Sequence, residues 1–163
     1  MNNIKTITDI SAVMMLYYRY QNNISSILSS YPDDDGLYKI GHNLYFYPNG
    51  TQVKEGDHIT QEQAVCLLKY DLTSFFNKVN ELVWKEIKQH QFDALVSLLW
   101  SMGIDSLNDS KLIKLINDNP KNKLIHGEFL KYVQKDGNID RSLIRLRKAE
   151  SWLFFEGTVN LTL

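Results

Sequence analysis

The chain predicts an α+β fold that is mostly α: a small N-terminal antiparallel sheet, one long connecting helix and a C-terminal helical bundle. Three observations predict it. Residues 36–58 carry turn residues at Gly36, Gly41, Pro48-Asn49-Gly50 and Gly56 around the apolar run Leu44-Tyr45-Phe46-Tyr47. From Val65 to Val79 the apolar residues Val65, Leu68, Leu72, Phe75/Phe76 and Val79 recur at helical spacing. After that the chain reads as helices separated by Asn, Pro and Gly turns. Its 163 residues suit one domain spanning 1–163, with a first lobe at about 18–60, a connecting helix at about 60–80 and a helical lobe at about 81–157.

Residues 9–28 read as a helix, because Ile10, Val13, Met14, Tyr17 and Tyr20/Gln21 recur on one face and Ser29-Ser30-Tyr31-Pro32 stops it. Asn49-Gly50 tolerates the positive φ of a tight turn, so 36–58 is expected to hold the sheet. Thr60-Gln61-Glu62-Gln63 fits a capping box that starts the connecting helix. Further helices are expected at about 89–102, at 109–118 before Asn119-Pro120, at 123–134 and at 141–156, with Lys135-Asp136-Gly137-Asn138 as a turn. A cleft between two such lobes suits an elongated ligand.

Composition bounds the function. Hydrophobic content is 44%, charged content 23% and net charge −1, which marks neither a nucleic-acid binder nor a membrane protein. No apolar run reaches transmembrane length. The charge is uneven: residues 1–60 hold four Lys/Arg against six Asp/Glu, and residues 121–150 hold eight against four. That basic part either faces an anionic polymer or is a solvated helical surface. Cys66 is the one cysteine, so no intramolecular disulfide forms, and its apolar surroundings predict a small core residue. The start, MNNIKTITDIS, lacks a secretory pattern. The expectation is synthesis in the cytoplasm, with release or dedicated export for any action in the periplasm or on the cell wall.

Gln91-Phe92-Asp93-Ala94-Leu95-Val96-Ser97 closely resembles the N-Q-F-D-A-L-V-S signature of the phage-type (T4-like) lysozymes. Thr60 to Ala64 is similar to that family's I-T-x-x-Q-A, Lys69-Tyr70-Asp71-Leu72 to its R-x-D-L, Phe129 to Tyr132 to its F-L-R-W, and Leu143 to Glu150 to its G-L-x-x-R-R-x-A-E. The resemblance covers roughly residues 17–157 and implies a two-lobed lysozyme fold. It also implies muramidase chemistry on peptidoglycan at the MurNAc–GlcNAc bond, with no cofactor and no metal.

The family's active site is a Glu, an Asp nine residues on, and a Thr six residues after that. Tyr31-Pro32-Asp33 fits the family's Y-x-D, which makes Asp33 the matching carboxylate. The Glu position falls on Ile24 without a gap, or on Gln21 with a three-residue insertion, and no Glu precedes Glu55. The Thr position is Lys39. Glycoside hydrolysis needs two carboxyl functions, one of them a proton donor to the departing oxygen. Neither an alkyl group nor an amide donates that proton, and acid–base help is worth about 10²–10⁴ per group. A Lys39 ammonium is expected beside Asp33, where it would lower that carboxyl's pKa.

Alternative acids are Asp34 and Asp35, which otherwise form an exposed acidic turn, and His42, which otherwise is structural. Asp136-x-Asn138-x-Asp140 mimics the start of a calcium loop, but Arg141 and Arg147 occupy the positions that need Gly and Glu. The tyrosines at 17, 18, 20, 31, 38, 45 and 47 are core residues in the main, with some lining a cleft. Two functions follow. The first is a lysozyme-like protein with weak or lost hydrolysis that retains binding to a peptidoglycan glycan strand or to a protein partner. The second is an active peptidoglycan hydrolase with a rearranged acid, acting as an endolysin or a secreted antibacterial effector.

Overall fold

The computed structural model describes residues 6–19, 24–135 and 137–162. Seven α-helices and two small antiparallel sheets occupy them, in the order α1 (Asp9–Arg19), β1 (Tyr31–Pro32), β2 (Tyr38–Lys39), α2 (Gln61–Asp71), α3 (Thr73–Leu82), α4 (Gln89–Met102), α5 (Lys111–Asp118), α6 (Leu124–Phe129), β3 (Gln134–Lys135), β4 (Asn138–Ile139) and α7 (Arg141–Glu156). The result is a two-lobed, mostly helical fold. Among the described residues no helix is long and apolar enough to cross a membrane.

Helix α4 is the centre of the molecule. Its residues Phe92, Ala94, Leu95, Val96, Leu98 and Leu99 are all buried, and it packs along α7 and α3. A helix apolar all round belongs inside a core. Its polar members are tied rather than solvated. Gln91 Oε1 accepts from the Lys88 amide at 3.0 Å and its Nε2 donates to the Pro120 carbonyl at 3.2 Å. Buried Asp93 accepts from the Thr8 amide, from the Thr8 and Ser11 hydroxyls (both 2.7 Å) and from Gln89 Nε2 (2.6 Å), which fastens the start of α1 to α4.

That attachment decides which face of α1 is inside. Ser11, Ala12, Met14, Met15 and Leu16 are buried, while Ile10 is 63% exposed, so the buried face is turned from the one the apolar spacing predicts. The helix ends at Arg19 among the described residues, and Ile24–Ile27 form a separate 3₁₀ turn. Tyr20 and Gln21 lie outside the described residues.

The N-terminal sheet is smaller and earlier than the sequence suggests. Tyr31 pairs with Lys39 and Pro32 with Tyr38, whereas residues 40–58 contribute only the isolated bridges Ile40↔Leu44, Phe46↔Gln52 and Ser29↔His58. Frequent turns interrupt every ladder there. One of them has Gly50 at φ 82°, donating its amide to the Tyr47 carbonyl.

The capping box of α2 forms as read: the Gln63 amide donates to Thr60 Oγ1 at 3.2 Å and the Thr60 amide to Gln63 Oε1 at 2.8 Å. The connecting element is two helices, however. It breaks at Leu72, where the Thr73 hydroxyl donates to the Tyr70 carbonyl at 2.7 Å and competes for a backbone acceptor. Cys66 is exposed, not a core residue, because α2 buries Ala64, Val65, Leu67 and Leu68 and leaves Cys66 on the outer side. The expected helix at 123–134 is only the short α6, and the chain then enters the β3–β4 hairpin. Asp140 caps α7, accepting from the Ser142 amide at 2.7 Å and the Leu143 amide at 3.1 Å.

Inside the helical lobe, Arg147 and Glu150 are both fully buried and paired at 2.5 Å. Ser97 donates to the second Glu150 oxygen at 2.6 Å, and Arg147 donates to the Ser101 hydroxyl. Burial pushes the Glu150 carboxyl up to about 7 against the opposing pull of Arg147.

Candidate active site and interlobe cleft

Asp33 opens the turn that joins β1 to β2, and its carboxylate organises that turn. Oδ1 accepts from the Asp35 amide at 3.0 Å and the Leu37 amide at 2.9 Å. The Asp33 amide donates to the Leu37 carbonyl at 2.8 Å, and Gly36 at φ 78° closes the loop. Oδ2 accepts from the Tyr45 hydroxyl at 2.7 Å. The Tyr45 bond, the Leu37 and Asp35 amides and the nearby Lys39 charge hold this carboxyl below its ordinary value.

Lys39 does not form an ion pair with Asp33 among the described residues. Its ammonium lies 5.6 Å from the ring centroids of both Tyr31 and Tyr45. The register explains this, since Tyr31 is the direct cross-strand partner of Lys39. Asp34 and Asp35 are exposed on the turn. Of the two positions matched to the family acid, Gln21 lies outside the described residues and Ile24 opens the 3₁₀ turn.

His42 is buried, and its Nε2 lies 3.1 Å from Asp71 Oδ2. Its ring meets Trp100 edge-on at 6.1 Å. Burial pushes the imidazole below its ordinary value while Asp71 pulls the other way. The sequence reading noted Asp71 only within a family motif and did not pair it with His42, because the two lie 29 positions apart.

Between the lobes is a cavity of about 620 Å³. The end of α1 contributes Tyr18 and Arg19, the first lobe Asn43, α4 Ser97, Trp100 and Ser101, the β3 strand Gln134 and Lys135, and α7 its first turn with Asp140. Arg19 stacks on the Trp100 ring at 4.5 Å. Asn43 joins this cavity to the Asp33 hairpin, since its Oδ1 accepts from the Tyr31 hydroxyl at 3.0 Å. The cavity thus combines an indole stacked by a guanidinium with amides at its rim. Sequence reasoning missed Arg19, Asn43 and Trp100. Trp100 closes the QFDALVS helix and was legible as a candidate, whereas Arg19 and Asn43 meet it only through the tertiary fold.

The sequence profile described as "Phage lysozyme" matches residues 25–150. The endolysin of Bacillus phage B103 is 33% identical over 120 residues, which are 74% of this chain and 44% of that protein. The chain thus spans under half the length of that relative. Among solved structures, a point mutant of P22 lysozyme is similar at TM-score 0.75 and 26% identity, covering 91% of this chain and 97% of that one. The muramidase domain of SpmX from Asticaccaulis excentricus is similar at TM-score 0.68 and 25% identity, covering 92% and 97%. This chain belongs to the phage lysozyme family.

Proposed function

We propose that this chain binds the glycan strand of peptidoglycan in its interlobe cleft and hydrolyses it weakly or not at all. The observation that carries the reading is the state of Asp33. Both of its oxygens are already engaged, Oδ1 by two backbone amides and Oδ2 by Tyr45. A carboxylate held in this way uses three of its roughly four acceptor sites on the turn and on Tyr45, which leaves about one for a water. The family's Thr position is Lys39, whose ammonium sits on two tyrosine rings. No glutamate precedes Glu55 to serve as the acid.

The cleft keeps what binding needs. Trp100 lines the cleft with the Arg19 guanidinium stacked on its ring, Lys135 offers a second cation, and Asn43 and Gln134 offer amides. The substrate class is therefore a sugar polymer with carboxylates, of which the muramic acid of peptidoglycan is the example the family membership supports. Contact with a protein partner through the same cleft is the form this role takes if the glycan is no longer bound. Action would be on the cell wall.

The test is restoration. Ile24→Glu or Gln21→Glu, each combined with Lys39→Thr, is assayed for release of reducing ends from purified cell wall. A gain of about 10²–10⁴ over the natural sequence, the size expected for regaining one acid group, supports a cleft that still seats the strand. No gain from either combination, together with no retention on cell wall, sinks the glycan-binding reading.

A further inference from the structure

A second concave site lies behind α7, away from the cleft. On α7 the cleft takes Ser142, Leu143 and Leu146 from the first turns. Lys148, Ser151, Trp152, Phe155 and Glu156 recur at helical spacing on the opposite side of the same helix. With Lys123, His126 and Leu130 from α6 and its flanks they line a cavity of about 440 Å³. Nothing in the lysozyme chemistry uses it.

The site is built rather than incidental. Ser151 is fully buried, and its hydroxyl lies 2.6 Å from His126 Nδ1, which fixes the imidazole on the cavity wall. The Trp152 indole donates to Thr158 Oγ1 at 3.2 Å and remains 42% exposed, so a pinned aromatic face is presented outward. Phe155 is held edge-on against Phe154 at 5.3 Å, and Phe154 lies tilted against Phe129 at 5.6 Å. The floor is apolar and the aromatic walls are preorganised, as in small-molecule sites.

The rim supplies the charge argument. Lys123 and Lys148 form no ion pairs among the described residues, and both face this cavity. Against their two cations stands the single carboxylate of Glu156. We propose that this cavity is a binding site for a small amphiphilic organic anion, a flat apolar body seated on Leu130, Trp152 and Phe155 with a carboxylate, sulfonate or phosphate reaching Lys123 and Lys148. A purely apolar ligand leaves both ammoniums unanswered. A simple inorganic anion leaves the aromatic wall unfilled.

The probe is 2-naphthoate, titrated calorimetrically into the intact protein, with neutral 2-naphthamide and inorganic phosphate as controls. Saturable binding of the naphthoate is expected, about tenfold tighter than that of either control, as one well-placed charge interaction of roughly 1.4 kcal/mol gives. Lys123→Gln with Lys148→Gln should remove that advantage, and Trp152→Ala should weaken both naphthyl ligands. All three changes are at exposed positions, so the fold is retained, which a thermal melt checks. In ¹H–¹⁵N spectra the Trp152 indole resonance should move on binding while those of Trp84 and Trp100 stay. Equal affinity for naphthoate and naphthamide, unchanged binding in the Lys variants, shifts confined to Trp100, or no saturable binding would each overturn the proposal.

Discussion

Tyr45 donates its phenolic hydrogen to Asp33 Oδ2 at 2.7 Å, and the same aromatic ring carries the Lys39 ammonium at 5.6 Å. One tyrosine thus engages both Asp33 and Lys39. In Tyr45→Phe the hydroxyl is lost, and the Asp33 pKa should rise toward its ordinary value. The folded pKa lies below the unfolded one, so the carboxylate contributes stability at neutral pH that is lost as pH falls through the folded pKa. Tyr45→Phe should shrink that acid-side loss. A carboxyl-carbon NMR titration of Asp33 checks the direction, and a pKa unmoved by the change contradicts it. Lys39→Thr should give a smaller rise, since its charge is the weakest of the contributing causes.

Asp93 holds the N-terminal segment to α4 through three hydrogen bonds, two from Thr8 and one from Ser11, and Gln89 of the same helix donates a fourth. Asp93→Ala should cost about 3 kcal/mol, because buried donors are left without acceptors. The loss should be local first: amide exchange in α1 should accelerate more than in α7. Urea unfolding and hydrogen exchange measure the two effects, and equal acceleration in both helices would contradict the local attachment.

The buried pair Arg147–Glu150 should behave differently when one partner or both are removed. Glu150→Ala leaves the guanidinium uncompensated and should cost about 3–5 kcal/mol, whereas Arg147→Met with Glu150→Leu should be more stable than that single change. The pair also sets a pH slope. Glu150 has a folded pKa raised to about 7, above the ordinary glutamate value of ~4.3, so its contribution is complete below ~4.3 and declines as pH rises toward about 7. Glu150→Gln removes the titrating group, and the decline across that window should vanish in chemical denaturation at a series of pH values.

Cys66 is exposed on α2, beside Tyr70, which is 61% exposed. The native protein should react with a disulfide reagent nearly as fast as the denatured chain. Reaction only after denaturant is added would restore the core placement that its apolar neighbours suggested.

Local patterns carried much of the fold. The Thr60–Gln63 capping box, the helix 89–102 and the α7 span 141–156 were legible because caps and apolar spacing act over a few residues. The Leu72 break was not, because apolar residues run through it unbroken and the cause is one Thr73 hydroxyl. The buried face of α1 was misread because Asp93, more than 80 positions away, decides it. The site divided in the same way. Asp33, Lys39 and His42 stood out from spacing and motif. The Tyr45 bond to Asp33, the Asp71 partner of His42 and the Arg19–Trp100 stack depend on segments that meet only when the lobes form.

The most direct test of the central claim measures binding and turnover on the same substrate. Purified peptidoglycan is incubated with the natural protein, and both retention on the sedimented wall and release of reducing ends are followed. Saturable retention that Trp100→Ala or Arg19→Ala weakens about tenfold, with reducing-end release orders of magnitude below that of an active phage lysozyme, is the predicted result. Rapid release by the natural sequence, abolished by Asp34→Ala, Asp35→Ala or His42→Ala, would contradict it and establish a working hydrolase with a rearranged acid.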